Sequence, residues 1–333
     1  MLDNADYMSK STEMTIDPLS DFLTLVKANA VVTGGFSAGG PWAIHFPARD
    51  KIKFFAVVKG ECWGRFEGEE EWVKFETGDV GLLAVQRSFV LASKPDVVAV
   101  DAVTLFSGSG RVTATIGDGS EFEHLGGHVL LDQAQGSLLA TVLPPWIHIR
   151  ANAPEAAAFR SLLAQLVEER AGHQPGSQLA SAQLTQLLFV QILRAHLRSS
   201  SLLPAGWLRA SADPRISPAL RLMHGNPERS WGLDPLAKAC GMSRTTFAAH
   251  FRMVAGVPPL TYLTEWRMRL AGQTLRETGA PLAAIAQSLG YSSESAFSNA
   301  FKRVTGKSPK SCRAEKRLAG PSLAHAPSSD VFD

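Results

Sequence analysis

The residues best suited to recognition chemistry lie in two short stretches near the C-terminal end of the 333-residue chain. Asparagine pairs with adenine through two hydrogen bonds, and glutamate accepts one from N4 of cytosine. Arginine reaches guanine, while alanine and threonine contact the methyl group of thymine. We therefore expect base reading in DNA by Arg244, Thr245, Ala248 and Ala249 in the first stretch, and by Glu294, Ser295, Ser298 and Asn299 in the second.

Basic side chains accompany both stretches. Residues 221–317 contain 15 Lys or Arg against 6 Asp or Glu, although the whole chain has a net charge of only +2. Such an excess indicates a region that binds a polyanion. Contacts to phosphate fix the register of a protein on DNA and give a salt-dependent affinity. We expect these contacts from Arg252, Lys302, Arg303, Lys307 and Lys310.

The helices that carry these residues belong to one sequence motif, which occurs twice. The first copy is LAKACGMSRTTFAAHFRMVAGVPP (Leu236–Pro259), and the second is IAQSLGYSSESAFSNAFKRVTGKSP (Ile285–Pro309). Each copy predicts a helix-turn-helix, with a glycine at the turn and a serine (Ser243; Ser292 or Ser293) that caps the second helix. With one residue inserted in the second copy, Ala237, Gly241, Phe247, Phe251, Gly256 and Pro259 recur as Ala286, Gly290, Phe297, Phe301, Gly306 and Pro309.

Between the copies, Leu260–Glu277 reads as one helix. A rigid connector would fix the two recognition helices relative to each other. One subunit could then enter two successive major-groove segments, roughly 34 Å apart, and recognise a long asymmetric site.

The first half of the chain has a different pattern. Residues 19–26 follow an Asp17-Pro18 helix start, and from Asn29 to about Ile149 short apolar runs alternate with Gly, Pro and Asp turns. Strand-length runs at this spacing predict an all-β sandwich or barrel.

Two amphipathic helices are predicted within residues 154–198. Phe159, Leu162, Leu163 and Leu166 recur at helical spacing, as do Leu184, Leu187, Leu188 and Ile192. Their apolar faces need a partner, which we expect to be the same helices of a second subunit, with packing on the β domain as the alternative. In the linker that follows, Trp207 and Ile216 are expected to dock on another element.

The two motif copies resemble the AraC/XylS DNA-binding domain throughout, most specifically in GYSSESAFSNAFKRVTGKSP. The segments FFAVVKGECWGRFEG (Phe54–Gly68), FETGDVGLLA (Phe75–Ala84) and LPPWIHI (Leu143–Ile149) resemble the cupin-like sensor domain of some AraC-type regulators. The resemblance spans about Asp17 to Arg317 and implies an α+β two-domain protein. Its N-terminal part would be a cupin-like β-barrel followed by linker helices, and its C-terminal part an all-α double helix-turn-helix.

The interpretation divides the chain into six parts. They are a flexible N-terminus (1–16), a sensor domain (17–150), dimerisation helices (151–198), a linker (199–217), the DNA-binding domain (218–317) and a disordered tail (318–333). By resemblance the protein is a homodimeric transcription regulator, an activator, that binds promoter DNA and a small effector and works with RNA polymerase. The alternatives are a cupin enzyme fused to a DNA-binding domain and a constitutive DNA binder whose barrel only mediates assembly. A helical repeat used for protein contacts is a further alternative for the doubled motif.

The β domain offers little catalytic chemistry. Cupin enzymes hold a metal through clustered histidines, but no H-x-H cluster occurs here, so we predict neither metal, cofactor nor catalysis. The histidines of this domain are scattered: His45, His124, His128 and His148. An apolar effector pocket is expected from Trp42, Phe55, Val57 and Trp63, although the same residues could simply fill the core.

Cellular context follows from what the sequence lacks. Three distant cysteines (Cys62, Cys240 and Cys312) argue against a disulfide framework or a thiolate zinc cluster. The polar N-terminus does not resemble a signal peptide, and no apolar run is long enough for a membrane span. We therefore expect a cytoplasmic protein without a membrane partner.

Overall fold

A computed structural model describes residues 17–48, 51–84, 87–106, 113–132, 136–172, 174–199 and 203–318 of the chain. The described residues form two compact units. The β unit comprises residues 26–199, and the helical unit comprises residues 17–25 together with 203–318. The predicted flexible N-terminus (1–16) and all but the first residue of the predicted tail lie outside the described residues.

The β unit is built from two sheets. One has the strand order β11-β6-β3-β10-β1-β9, and the other β5-β4-β7-β2-β8. The strands are β1 (Asn29–Ala38), β2 (Ala43–Phe46), β3 (Ile52–Lys59), β4 (Glu61–Phe66), β5 (Val73–Glu76), β6 (Val80–Leu83), β7 (Phe89–Ala92), β8 (Val100–Asp101), β9 (Thr113–Ile116), β10 (Phe122–Leu130) and β11 (Trp146–Ile149), with two short helices, α2 (Ala102–Phe106) and α3 (Ser137–Ala140).

The predicted strands are present, but a closed barrel is not confirmed, because backbone hydrogen bonds join the strands into two open sheets. Pairing is antiparallel except between β1 and β9 and between β2 and β8. One apolar core takes side chains from both sheets, including Phe36, Phe55 and Phe122 from the first and Ile44 and Phe89 from the second. The two sheets therefore pack face to face over this core.

Two long helices complete the β unit. They are α4 (Ala156–Gly172) and α5 (Ser177–Ser199), which pack against each other while α5 also packs on β1 and β11. Gln186 fixes α5 to the start of β1, because its side chain accepts a hydrogen bond from Ala30 N (2.8 Å) and donates one to Ala28 O (3.0 Å). Packing on the sheet thus covers the buried face of α5.

The helical unit begins with α1 (Pro18–Leu25). The other helices are α6 (Trp207–Ala212), α7 (Ser217–Gly225), α8 (Leu233–Ala239), α9 (Arg244–Ala255), α10 (Pro259–Glu277), α11 (Leu282–Ser288), α12 (Glu294–Thr305) and α13 (Pro309–Leu318). No helix in the described part of the chain combines the length and the apolar character that a membrane span requires.

Helix α1 packs with the C-terminal helices, although the sequence interpretation began the sensor domain at residue 17. The Phe22 ring stacks on Trp207 with ring centroids 3.3 Å apart. Trp207 lies in α6, a helix within the stretch interpreted as linker, and both Trp207 and Ile216 are buried. These two residues therefore dock within the helical unit.

Candidate nucleic-acid interface and ligand cavity

The second helices of the two motifs, α9 and α12, begin and end in the same way. Ser243 Oγ accepts a hydrogen bond from Thr246 N (3.2 Å), and Ser293 Oγ accepts one from Ala296 N (3.1 Å). A serine in this position satisfies a backbone N–H that the first turn of a helix leaves unpaired. Left-handed glycines, Gly256 (φ 79°) and Gly306 (φ 74°), end the helices. Of the two serines that the sequence left open, the structure selects Ser293.

The turns between the helices also correspond. Met242 N bonds Ala237 O at 3.0 Å, and Tyr291 N bonds Ala286 O at 2.9 Å. Gly241 (φ 62°) and Gly290 (φ 77°) supply the left-handed backbone that each turn needs. Gly290 has a second reason to be glycine, because an added Cβ would lie 2.0 Å from the Glu228 carbonyl oxygen.

Each helix buries a pair of phenylalanines and turns its polar face away from them. Phe247, Phe251, Phe297 and Phe301 are at most 1% exposed. Among the residues expected to read bases, the exposed ones are Arg244, Thr245, Ala249, Glu294, Ser295 and Asn299, while Ala248 and Ser298 are half-buried. The two sets occupy equivalent positions on the two helices, so the structure presents them as two matched surfaces.

The residues expected to contact phosphate are exposed as well. Arg252, Lys302 and Arg303 lie in the last turns of α9 and α12, and Lys307 and Lys310 lie near the start of α13. Cations in the last turn of a helix are also stabilised by its dipole. Arg244 is 3.8 Å from Asp234, but both side chains are mostly exposed, so water weakens this ion pair.

The connecting helix α10 holds both motifs. Tyr262 packs edge-on against Phe251 of the first motif, with centroids 5.5 Å apart. Met268, Ala271 and Leu275 lie in the buried core of the second motif. The predicted connector is thus a helix with side chains in both motifs, which fixes α9 and α12 relative to each other.

Arg267 and His224 support this helix, and no sequence pattern marked either residue. Arg267 Nε donates to Pro227 O (2.5 Å) and its Nη2 to Arg229 O (2.8 Å), which ties α10 to the loop before α8. His224 lies between Asp21 Oδ2 (3.0 Å) and Tyr262 Oη (2.9 Å), and its ring stacks on Trp266 at 3.8 Å. Burial lowers the pKa of His224, while its hydrogen bond to Asp21 opposes that change.

The β unit contains an apolar cavity of about 150 Å³. Of the residues predicted for an effector pocket, Phe55 lines this cavity, and Trp42 and Val57 lie in the adjoining buried core. Trp63 is half-buried and does not line it. On β4 the buried positions are Cys62, Gly64 and Phe66, so Trp63 lies on the opposite face of the strand.

The histidines of the β unit serve separate structures instead of converging. His148 bonds Asp79 at 2.7 Å, His45 bonds the exposed Asp101 at 3.2 Å, and the His124 ring stacks on Phe36. Within the described residues, no group of three or more His, Cys, Asp or Glu side chains could hold a metal ion. The residues present therefore do not fit the metal site of cupin enzymes. Burial also raises the pKa of the Cys62 thiol far above its usual range.

Comparison with known proteins places this geometry in a family. A cupin family model matches residues 17–198, and a helix-turn-helix domain model matches residues 236–315. A putative AraC-like transcription regulator of Streptomyces antibioticus is 39% identical over 295 residues, which cover 88% of this chain and 97% of the relative. The HTH-type transcriptional regulator AlkR of Acinetobacter baylyi is 30% identical over 285 residues, or 83% of this chain and 92% of the relative.

Among solved structures, a transcriptional regulator with an AraC-type DNA-binding domain from Chromobacterium violaceum is 30% identical in sequence, with a TM-score of 0.31. The alignment covers 32% of this chain and 95% of the Chromobacterium chain. The cupin match spans more than half of the chain, and the Streptomyces relative aligns over nearly its whole length. The chain therefore belongs to the AraC-like regulators with an N-terminal cupin domain, and it is a DNA-binding regulator of transcription.

Proposed function

We propose that one subunit reads a long, asymmetric DNA site through both recognition helices, under the control of a small effector bound in the cupin domain. The observation that carries the first part is the pair of matched exposed surfaces on α9 and α12, held by one connecting helix. Recognition helices one turn of DNA apart enter adjacent major-groove segments about 34 Å from each other. The eight base-reading and five phosphate-contacting residues given above form the contact surface.

Hydroxyl-radical footprinting of the full chain on DNA that co-purifies with it from cells tests this reading. Two protected segments on one face of the duplex, about 10 base pairs apart for each subunit, are expected. Asn299→Ala should change protection in the segment read by α12, and Arg244→Ala in the segment read by α9. A single protected segment that responds to both substitutions would contradict two-motif reading.

Control by an effector is supported by the cavity inside the cupin domain. It is largely apolar and lined by side chains of several strands, which is the usual character of a small-molecule site. Relatives that align over most of the chain are described as transcription regulators, which favours sensing over catalysis. A thermal-shift screen should find compounds that raise the melting temperature and change DNA affinity; a screen with no such compound would favour a constitutive DNA binder.

We further propose a homodimer that works as an activator with RNA polymerase at promoters. Leu179 and Leu187 on α5 are 67% and 42% exposed and, eight residues apart, lie on the same stripe of the helix, so one interface would cover both. Sedimentation of the double variant Leu179→Glu/Leu187→Glu should give a monomer where the native chain gives a dimer. An in vitro transcription assay with purified polymerase separates activation from repression.

A further inference from the structure

Glycines of two neighbouring strands form part of the wall of the cupin-domain cavity. Gly34 on β1 and Gly126 on β10 are paired across the sheet, and both line the cavity. One step along the same face, Phe36 is paired with His124, and the two rings stack with centroids 5.1 Å apart. An added Cβ at Gly126 would lie 2.9 Å from His124 Cε1. The His124 ring therefore lies over Gly126, a position where a larger residue would force it aside.

The walls of the cavity are apolar, and several are aromatic. Phe36, Phe46, Phe55, Phe75, Phe89 and Phe106 all line it. Phe46 and Phe89 stack with centroids 4.7 Å apart, and Phe55 meets Phe75 edge-on at 5.0 Å. Such walls accept the hydrocarbon part of a ligand.

Two polar atoms inside this lining have no hydrogen-bond partner. His124 is 9% exposed, and its Nδ1 atom is buried without a partner, as is Nε1 of Trp146. Buried polar groups in folded proteins are nearly always hydrogen-bonded, so each exception needs an explanation. Two residues of the cavity wall thus each hold a buried nitrogen atom without a partner, in addition to the charged groups described next.

One side of the cavity carries positive charge. Lys51, Lys53 and His128 line it. Lys53 Nζ lies 5.6 Å from the Phe46 ring centroid and 5.0 Å from that of Phe89, so its ammonium group lies beside the aromatic wall. The two ammonium groups act on His128, whose pKa is lowered to about 4 by burial and by Lys51 and Lys53.

We propose that this cavity binds a small monocarboxylic acid, with the carboxylate held by Lys51 and Lys53 and an apolar body lying among the phenylalanine rings. A cavity of about 150 Å³ holds a ring the size of benzene, so the body has about six to eight carbon atoms. This assignment deepens the proposed effector control and rests on it for its regulatory meaning, but ligand binding itself can be measured independently.

Calorimetry on the full-length chain with three ligands of equal size tests the assignment. The ligands are heptanoate, 1-heptanol and heptylamine, which differ only in the head group. Hydrogen bonds to charged groups are worth enough to change affinity about tenfold or more. Heptanoate should therefore bind at least about tenfold more tightly than heptanol, and heptylamine should bind most weakly.

Variants then locate the carboxylate. The double variant Lys51→Ala/Lys53→Ala should lose the preference for the acid while keeping affinity for heptanol. Lys51→Glu should shift the preference toward heptylamine, a gain that an unfolded variant could not show. Lys94→Ala, an exposed lysine of the same unit that does not line the cavity, is the matched control and should bind as the native chain does.

Three results would overturn the proposal. They are equal binding of acid and alcohol by the native chain, an acid preference that persists in the double alanine variant, and no saturable binding of any of the three ligands at millimolar concentration. DNA affinity measured on the same samples separates the two levels of inference. If the acid binds without changing DNA affinity, the ligand class stands and effector control fails; if DNA affinity responds only to a different compound, the ligand class fails and effector control stands.

Discussion

In the first helix-turn-helix motif, α9 presents Arg244, Thr245 and Ala249 to solvent; in the second, α12 presents Glu294, Ser295 and Asn299 at the equivalent positions. Beneath these surfaces the motifs share their architecture. Both have a serine cap, a left-handed glycine at the turn, two buried phenylalanines and a glycine at the helix end. The residues that fix the backbone are therefore repeated, while those that face outward have diverged.

This division follows from what each position does. A buried phenylalanine or a left-handed glycine has few acceptable substitutes, because the backbone depends on it. An exposed side chain contributes little to folding and is free to match a different base. The two motifs should therefore be nearly equal in their response to framework changes and unequal in their response to surface changes.

The largest effect is expected from the buried phenylalanines. Phe251→Ala and Phe301→Ala should each destabilise their own motif by ~3–5 kcal/mol, since each removes a fully buried aromatic side chain. Phe251 should cost somewhat more, because it also packs against Tyr262. Hydrogen exchange read separately on peptides from α9 and α12 measures the two losses.

The exposed Met253→Ala serves as the control, because Met253 is 55% exposed and its truncation should leave exchange unchanged. If one phenylalanine proves dispensable while the other unfolds its motif, the two frameworks are not equivalent.

The two motifs should differ in how much stability they lose when the glycine at the turn is replaced. Gly241→Ala faces open space and should cost about 1–2 kcal/mol for a left-handed backbone. Gly290→Ala adds a clash with the Glu228 carbonyl, so its total cost should reach roughly 2–5 kcal/mol. The same exchange measurement on the two turns ranks them. Equal costs would mean that the loop containing Glu228 moves aside freely.

The surface of the second motif separates base reading from phosphate binding. Asn299→Ala should weaken a specific site by about 1–3 kcal/mol and leave random DNA and the salt slope almost unchanged. Lys302→Ala should weaken both kinds of DNA alike and lower the salt slope by about one. Fluorescence anisotropy on specific and scrambled duplexes over a range of salt concentrations distinguishes them, and identical behaviour of the two variants would show that these roles are wrongly assigned.

Local patterns predicted a large part of this molecule. The glycine, serine and phenylalanine spacing of the repeat predicted both motifs and the orientation of their outward residues, because a helix places residues three and four apart on one face. The strands of the β unit were likewise predicted from short apolar runs between turn residues.

What could not be predicted depends on register and on distant contacts. Trp63 was expected in the pocket, but a shift of one residue along a strand reverses which side chains face inward, and Trp146 lines the cavity instead. Gly34 and Gly126 become partners only once β1 and β10 are paired. The hydrogen bond between Asp21 and His224 joins residues 203 positions apart, and a periodic pattern in the sequence cannot predict such a contact.

The smallest effect expected is a pH dependence confined to the side of the helical unit near the first motif. His224 is packed against Tyr262 and Trp266 of α10 and Asp21 of α1, with Arg269 also acting on its charge. Burial lowers its pKa in the folded state, so above the unfolded value near 6.5 the ring is neutral in both states and its contribution to stability is complete. As the pH falls below that value the unfolded chain binds a proton that the folded chain excludes, and stability decreases until the folded pKa is passed. The effect is small because the Asp21 carboxylate raises the pKa of His224 and so opposes the effect of burial.

Hydrogen exchange on peptides from α7 and α12, corrected for intrinsic rates, measures this effect between pH 8 and pH 5.5. Of these two helices, only α7 should open more as the pH falls, and His224→Gln should abolish that pH dependence. Increased opening of α12 to the same extent would mean that another group causes it.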